Sequence, residues 1–289
     1  MQRRFVVSVV KLESGVNSSV PLSEQLIALQ AAIRADASSA KLRIHLFQLL
    51  CVMGNWTRAL AQLQVCAQMD AKALPMAQTY REAIRCELLR KEVFQGKRTP
   101  QIMGTPPSWI GSMIEALKLD GVKDFAAAAA LREAALDEAN PSSCRVDGVQ
   151  CEWLADGDSR LGPVFEVIAN GQYYWLPIAS CSGLILELPV DLRDMVWSPG
   201  EVMLPNEGRV AVLIPTRYPG TDELNSTDAD DFKWSRRTEW REVHPDMWFG
   251  QGQRLWSSDV GEHAILDTRA ISVDAAEGLA AGVADVTTS

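Results

Sequence analysis

The sequence predicts an α+β protein in two parts, a helical-repeat region followed by a smaller, strand-rich, mostly antiparallel region. Three observations carry this. Apolar residues recur at helical spacing over residues 21–140, then give way after Pro141 to short β-branched and aromatic runs set off by Gly, Pro and Asp. Charge divides at the same place: residues 1–140 hold 17 basic and 13 acidic side chains, a net of +4, whereas residues 141–289 hold 11 and 24, a net of −13. Tryptophan divides too, with Trp56 and Trp109 before the line and seven after it. A chain of 289 residues, 47% hydrophobic, has length for two domains and enough apolar surface to fill them. The expected boundaries are 21–140 for the helical domain and 141–275 for the strand-rich one, with an unassigned extension at 1–20 and a tail at 276–289.

In the first part, Ser23 and Glu24 open a helix that runs through Arg34. The next helix, over 40–53, places Leu42, Leu46, Leu49, Leu50 and Met53 on one stripe, and a third over 56–69 does so with Leu60, Leu63 and Cys66. Gly54-Asn55-Trp56 forms the turn between them and Asp70-Ala71 the stop. Leu46, Gly54, Trp56, Ala59 and Leu63 fall at the spacing of a tetratricopeptide repeat, in which small residues let paired helices approach; Ala71 stands where that repeat usually has proline. Arg34-Ala35-Asp36-Ala37 precedes Gln68-Met69-Asp70-Ala71 by 34 residues, the period of the repeat. Asp124-Phe125 with Ala128 and Ala135 repeats the aromatic-to-small spacing, so this domain reads as tetratricopeptide-like. Residues 74–94 and 107–119 give two more helices, separated by a breaker at 95–100.

Helical repeats present a groove to a peptide or a partner helix more often than they perform chemistry. The candidate partner-binding residues are Arg81, Arg85, Arg90 and Lys91, with Lys97 and Arg98 just beyond. Glu82, Glu87 and Glu92 are interleaved, so the competing reading is a solvated face of local ion pairs. A net charge of −9 argues against general nucleic-acid binding, which needs a basic footprint. The apolar run over 5–10 is too short for a secretory signal, and nothing approaches a membrane span, so a cytoplasmic protein is expected. Cys51, Cys66 and Cys86 sit in helical patterns, and Cys144 and Cys151 are seven apart, a spacing that fits no common zinc template. Neither a metal nor another cofactor is expected.

In the second part, residues 173–177, 184–188 and 209–215 read as strands, with Asn170-Gly171 and Asn206-Glu207-Gly208 as tight turns. Residues 161–169 read as a helix and residues 191–197 as a short helical turn. The segments at 155–163, 171–177, 191–194, 214–220 and 237–240 carry Asp156, Asp158, Arg160, Arg217, Tyr218, Arg237 and Trp240. These segments, together with Lys41-Leu42-Arg43, residues 47–51, 61–64 and 78–87, resemble the ImpE family, whose members are also called TagJ or SciE. The likeness spans about residues 21–275. It implies an accessory protein of bacterial type VI secretion that binds the N-terminal helix of the small sheath subunit TssB, and through it is linked to sheath disassembly by the ClpV ATPase.

An enzyme remains the alternative, as a small-molecule-binding or hydrolytic domain using the 156–160 and 214–220 loops. Asp156, Asp158, Arg160, Arg217, Glu239 and His244 could supply acid, base and anion clamp. No phosphate loop, GxSxG elbow or HExxH accompanies them, and no catalytic residue is assigned. The favoured reading of 156–160 is a capped turn opening the following helix, with Arg217 and Arg237 paired to nearby carboxylates. Trp234, Trp240, Trp248 and Trp256 alternate with Arg236, Arg237, Arg241 and Arg254, which fits cation–π stacking that closes a core, or else a surface aromatic patch.

Overall fold

The computed structural model describes residues 5–6 and 20–274, so the expected tail at 276–289 and most of the extension at 1–20 lie outside the described residues. The helices are α1 (Leu22–Ala35), α2 (Ala40–Val52), α3 (Trp56–Met69), α4 (Leu74–Phe94), α5 (Ile110–Gly121), α6 (Phe125–Glu138) and the short α7 (Ala229–Lys233). Local chemistry sets several starts. Ser39 caps α2 by accepting from the Leu42 amide, Asn55 caps α3 through the Arg58 amide, and Asp124 caps α6 through the Ala127 amide. Helix α1 differs: it starts after Pro21 without a side-chain cap, and the Leu22 amide instead donates to Asp230 of α7 at 2.8 Å. Helices α2 and α3 pack as one hairpin and α5 and α6 as another, which is the pairing the repeat spacing predicts.

Among the described residues there are fifteen strands: β1 (Phe5–Val6), β2 (Gln101–Ile102), β3 (Cys144–Val146), β4 (Val149–Cys151), β5 (Leu154–Asp156), β6 (Val164–Ala169), β7 (Gln172–Pro177), β8 (Gly183–Leu186), β9 (Trp197–Met203), β10 (Arg209–Pro215), β11 (Arg237–His244), β12 (Met247–Gly252), β13 (Leu255–Ser258), β14 (Gly261–Ala264) and β15 (Ala270–Val273). Nine form one sheet in the order β2-β7-β6-β10-β9-β8-β15-β3-β4, and two three-stranded sheets, β1-β11-β12 and β14-β13-β5, complete the set. Every pairing is antiparallel except that of β2 with β7. The breaker at 95–100 ends α4 and delivers Gln101 and Ile102 to the sheet, so the helical half supplies the strand at one edge.

One expected element is corrected. Residues 164–169 are strand β6, not helix, and all six are buried. A strand covered on both faces loses the polar alternation that identifies a strand, so its apolar run imitates a short buried helix. Asn170 (φ 50°) and Gly171 (φ 74°) then form the two-residue turn that sends β6 into β7, as their left-handed backbones require. The short helical turn expected at 191–197 is present over Leu192–Met195.

Both halves bury their apolar faces in one continuous core. It runs from Leu22 and Phe47 through Ile84 and Met113 to Phe165, Trp175, Trp197, Trp256 and Ile271. At Gly54 (φ 73°) the turn between α2 and α3 comes so close to residue 222 that an added Cβ would lie 2.5 Å from the Asp222 Cβ.

Candidate functional site

Of the motif residues, Asp156, Asp158 and Arg160 converge with Arg90, Glu166 and Arg254 where α4 lies on the sheet. Glu166 of β6 has a side chain with no exposed surface, and its two oxygens accept from Arg90 Nε at 2.6 Å and Nη2 at 2.7 Å, the bidentate geometry that suits a guanidinium. Tyr173 donates its hydroxyl to the same carboxylate, Trp175 Nε1 donates to that hydroxyl at 2.8 Å, and Arg254 approaches Glu166 at 3.2 Å. Arg254 also donates twice to Asp156 Oδ2, at 3.0 and 2.6 Å, and Asp156 Oδ1 accepts from the Asp158 amide at 2.8 Å. Asp158 in turn receives the Arg160 amide, the Arg160 guanidinium and the Gly250 amide. The Arg160 guanidinium lies 4.3 Å from the centroid of the Phe249 ring and 5.0 Å from that of Phe94.

Burial and charge act oppositely on the two principal carboxylates. Burial pushes Glu166 upward, but Arg90, Arg254 and the bonds from Arg90 and Tyr173 overcome it and hold the carboxyl down at about 2. At Asp156 burial outweighs the pull of Arg254, and Asp158 nearby adds to it, so the carboxyl is raised to about 6. On the other side of Arg90, Glu87 accepts from Trp197 Nε1 at 3.0 Å, and burial raises its pKa above the usual carboxylate range.

The structure corrects three sequence expectations about these residues. Arg90 is only 3% exposed and faces Glu166, so its guanidinium is not on offer to a partner. Among the described residues Arg217 pairs with no carboxylate; it donates to the backbone carbonyls of Val52 (2.7 Å), Cys51 (3.4 Å) and Lys233 (2.9 Å). The 156–160 segment is a turn held by its own aspartates, but it leads into β6 rather than a helix. Arg237 does pair with carboxylates, Asp228 at 2.6 Å and Glu239. Tyr218 exchanges hydrogen bonds with the backbone of Leu255, and its ring stacks 5.3 Å from half-buried Trp240. Among the aromatic–arginine alternations, Trp234 and Trp256 are buried and Arg236 stacks over Trp234 at 5.2 Å, the arrangement of a closed core. Glu166, which joins the motifs together, escapes a sequence reading because it is a lone charged residue inside the apolar run of 164–169.

Helix α4 presents two further faces. Lys91 pairs with Glu223 and, with Trp56, Glu87, Arg217 and Asp222, lines a cavity of about 20 Å³, room for one water. On the outer face Arg81 and Arg85 are exposed. Beside them lies a groove of about 440 Å³ between α4 and the β6–β7 turn, lined by Arg85, Leu88, Leu89, Arg98, Gln101 and Gln172 among others.

Fold and site together define a class of protein, a helical-repeat unit fastened to an antiparallel sheet by a buried network of arginines and carboxylates, with an open groove along the fastening helix. The family model described as ImpE protein matches residues 148–272. A relative from Pseudomonas aeruginosa, the type VI secretion system accessory component TagJ, is 47% identical over 253 residues, 88% of each chain. The crystal structure of protein VPA1032 from Vibrio parahaemolyticus superposes with a TM-score of 0.78 at 25% identity, covering 88% of this chain and 94% of that one. The chain belongs to the ImpE family.

Proposed function

We propose that this protein is a non-catalytic accessory component of a bacterial type VI secretion system. In this reading it acts in the cytoplasm, binds the N-terminal helix of the small sheath subunit TssB, and thereby assists sheath disassembly by ClpV. The observation that carries the accessory role is the 47% identity to TagJ along 88% of both chains. The helical hairpins support a peptide-binding mode, since paired helices offer grooves suited to a helix. A cytoplasmic setting is compatible with the absence, among the described residues, of any helix long and apolar enough to cross a membrane.

The hydrolytic alternative gains nothing from the geometry. Asp156, Asp158 and Arg160 are saturated by one another, by Arg254 and by backbone amides. The cavity at the 214–220 loop holds about one water, against the several hundred Å³ of a ligand pocket. The direct test is titration of a labelled TssB N-terminal peptide into the full chain. Micromolar or tighter binding is expected; absence of binding, together with a copurifying metabolite, would reverse the assignment.

A further inference from the structure

Positions 81, 85, 88 and 92 of α4 lie at i, i+4, i+7 and i+11, one stripe along a helix of 21 residues, and all four side chains face solvent. Leu88 is 45% exposed, and partly buried Leu89 beside it lines the same groove. The floor is fixed: Cys86 Sγ lies 3.5 Å from the Gly171 carbonyl, and Gly171 sits so close to Glu82 that an added Cβ would be 3.1 Å from the Glu82 Cγ. The charged side chains that line this apolar strip are Arg85, Arg98 and Glu92, two cations to one anion, with Glu82 at its edge against Gly171. Arg85 and Arg98 have side chains 66% and 65% exposed and pair only with Glu82 and Glu92 of α4, contacts weak enough to exchange for a partner's carboxylate.

We propose that the groove between α4 and the β6–β7 turn is the docking site of the partner helix, and that its occupant is an amphipathic helix with an acidic flank. Its apolar ridge lies along Leu88 and Leu89, and its Asp and Glu side chains meet Arg85 and Arg98. A helix fits better than an added strand, because the neighbouring sheet edge is β2, only two residues long and too short to template one. This site rests on the adaptor reading above for the identity of the partner, and the groove itself fixes the occupant's chemistry. Arg90 and Lys91 play no part in it, since the first is buried on Glu166 and the second is paired with Glu223.

The test uses the full chain and the TssB N-terminal peptide in four forms of the protein: wild type, Leu88→Asp, the Arg85→Glu/Arg98→Glu pair, and Lys91→Glu as a control off the groove. All the substituted side chains are exposed, so folding is retained and is checked by circular dichroism. Each groove variant is expected to weaken binding by about tenfold or more, with the control unchanged. Lysines placed in the acidic flank of the peptide should restore binding to the double variant. Wild-type binding that survives both groove variants would overturn the site and leave the adaptor reading standing, and loss without restoration by the lysine peptide would overturn the acidic occupant. A wild-type protein that does not bind the peptide overturns both readings.

Discussion

Arg217 donates to Cys51 and Val52 at the end of α2 and to Lys233 at the end of α7, so one guanidinium closes two helices. The last carbonyls of a helix have no partner within it and carry the negative end of its dipole, which makes them acceptors for a buried cation without any carboxylate. Burial lowers the Arg217 pKa, and the fork of donors that reaches both helices has no equivalent in lysine. Arg217→Lys is therefore expected to lose about 2 kcal/mol of unfolding free energy, read from urea midpoints, while the protein remains folded. Asp156 gives a second residue-scale expectation. Its carboxyl titrates at about 6 in the folded protein against 3.8 when exposed, so its contribution to stability is complete below pH 3.8 and is lost as pH rises through about 6. Glu166, held at about 2 against 4.5, contributes in the opposite sense: fully above pH 4.5 and progressively less as pH falls towards 2. Stability should thus rise on acidification from pH 6.5 to 4.5 and fall below it; in Asp156→Asn the first limb should shrink to what the other raised carboxyls, Glu87 among them, contribute, and the second remain.

At the scale of elements, α4 is fixed to the sheet by Arg90 on Glu166, and the surroundings of the two partners predict unequal effects. Glu166→Gln removes the charged bidentate partner of Arg90, leaving it the longer Glu87 contact at 3.5 Å and the Arg217 carbonyl at 2.9 Å, and reduces the partners of Arg254, whereas Arg90→Met leaves Glu166 with Arg254 and the Tyr173 hydroxyl. Removing a partner from a buried pair costs about 3–5 kcal/mol, so Glu166→Gln should approach that range and Arg90→Met should cost less. The double variant should cost clearly less than the two singles together, as a double-mutant cycle in urea would show. The sequence makes the helices of this joint legible, because Leu46, Leu49 and Leu50 repeat at helical spacing and Asn55 and Asp124 cap where caps are due. Strands β7 and β10 and the Asn170-Gly171 turn are legible for the same reason, local pattern and turn chemistry. Strand β6 is not, since burial on both faces erases its period. The candidate site is legible as a set of motifs but not as an arrangement. Arg90 resembles Arg81 and Arg85 in sequence, and only the arrival of β6 from 76 residues away separates a buried tether from a solvent-facing rim.

For the whole molecule, the question is whether the halves that differ so clearly in composition unfold separately. Their charges, +4 and −13, and their tryptophans, two and seven, describe surfaces and local texture rather than independence. Several observations tie them together. One apolar core passes from α2 and α4 into the sheet, β2 of the helical half pairs with β7, and Arg217 and Trp56 reach across the joint, the latter donating its Nε1 to Asp222 at 3.1 Å. Separating the halves would expose Glu166 and Arg90 to partial or total loss of their partners and open the apolar faces of both. We therefore expect a single cooperative transition. The composition supplies the probes to check it. Ellipticity at 222 nm reports mainly the helices before residue 140, and tryptophan fluorescence reports mainly the seven indoles after it. In urea the two signals should share one midpoint and one slope, and Glu166→Gln should shift both midpoints down by the same amount. Two separated midpoints, or a shift confined to the fluorescence, would show that the joint transmits little energy and that the composition boundary is a folding boundary as well.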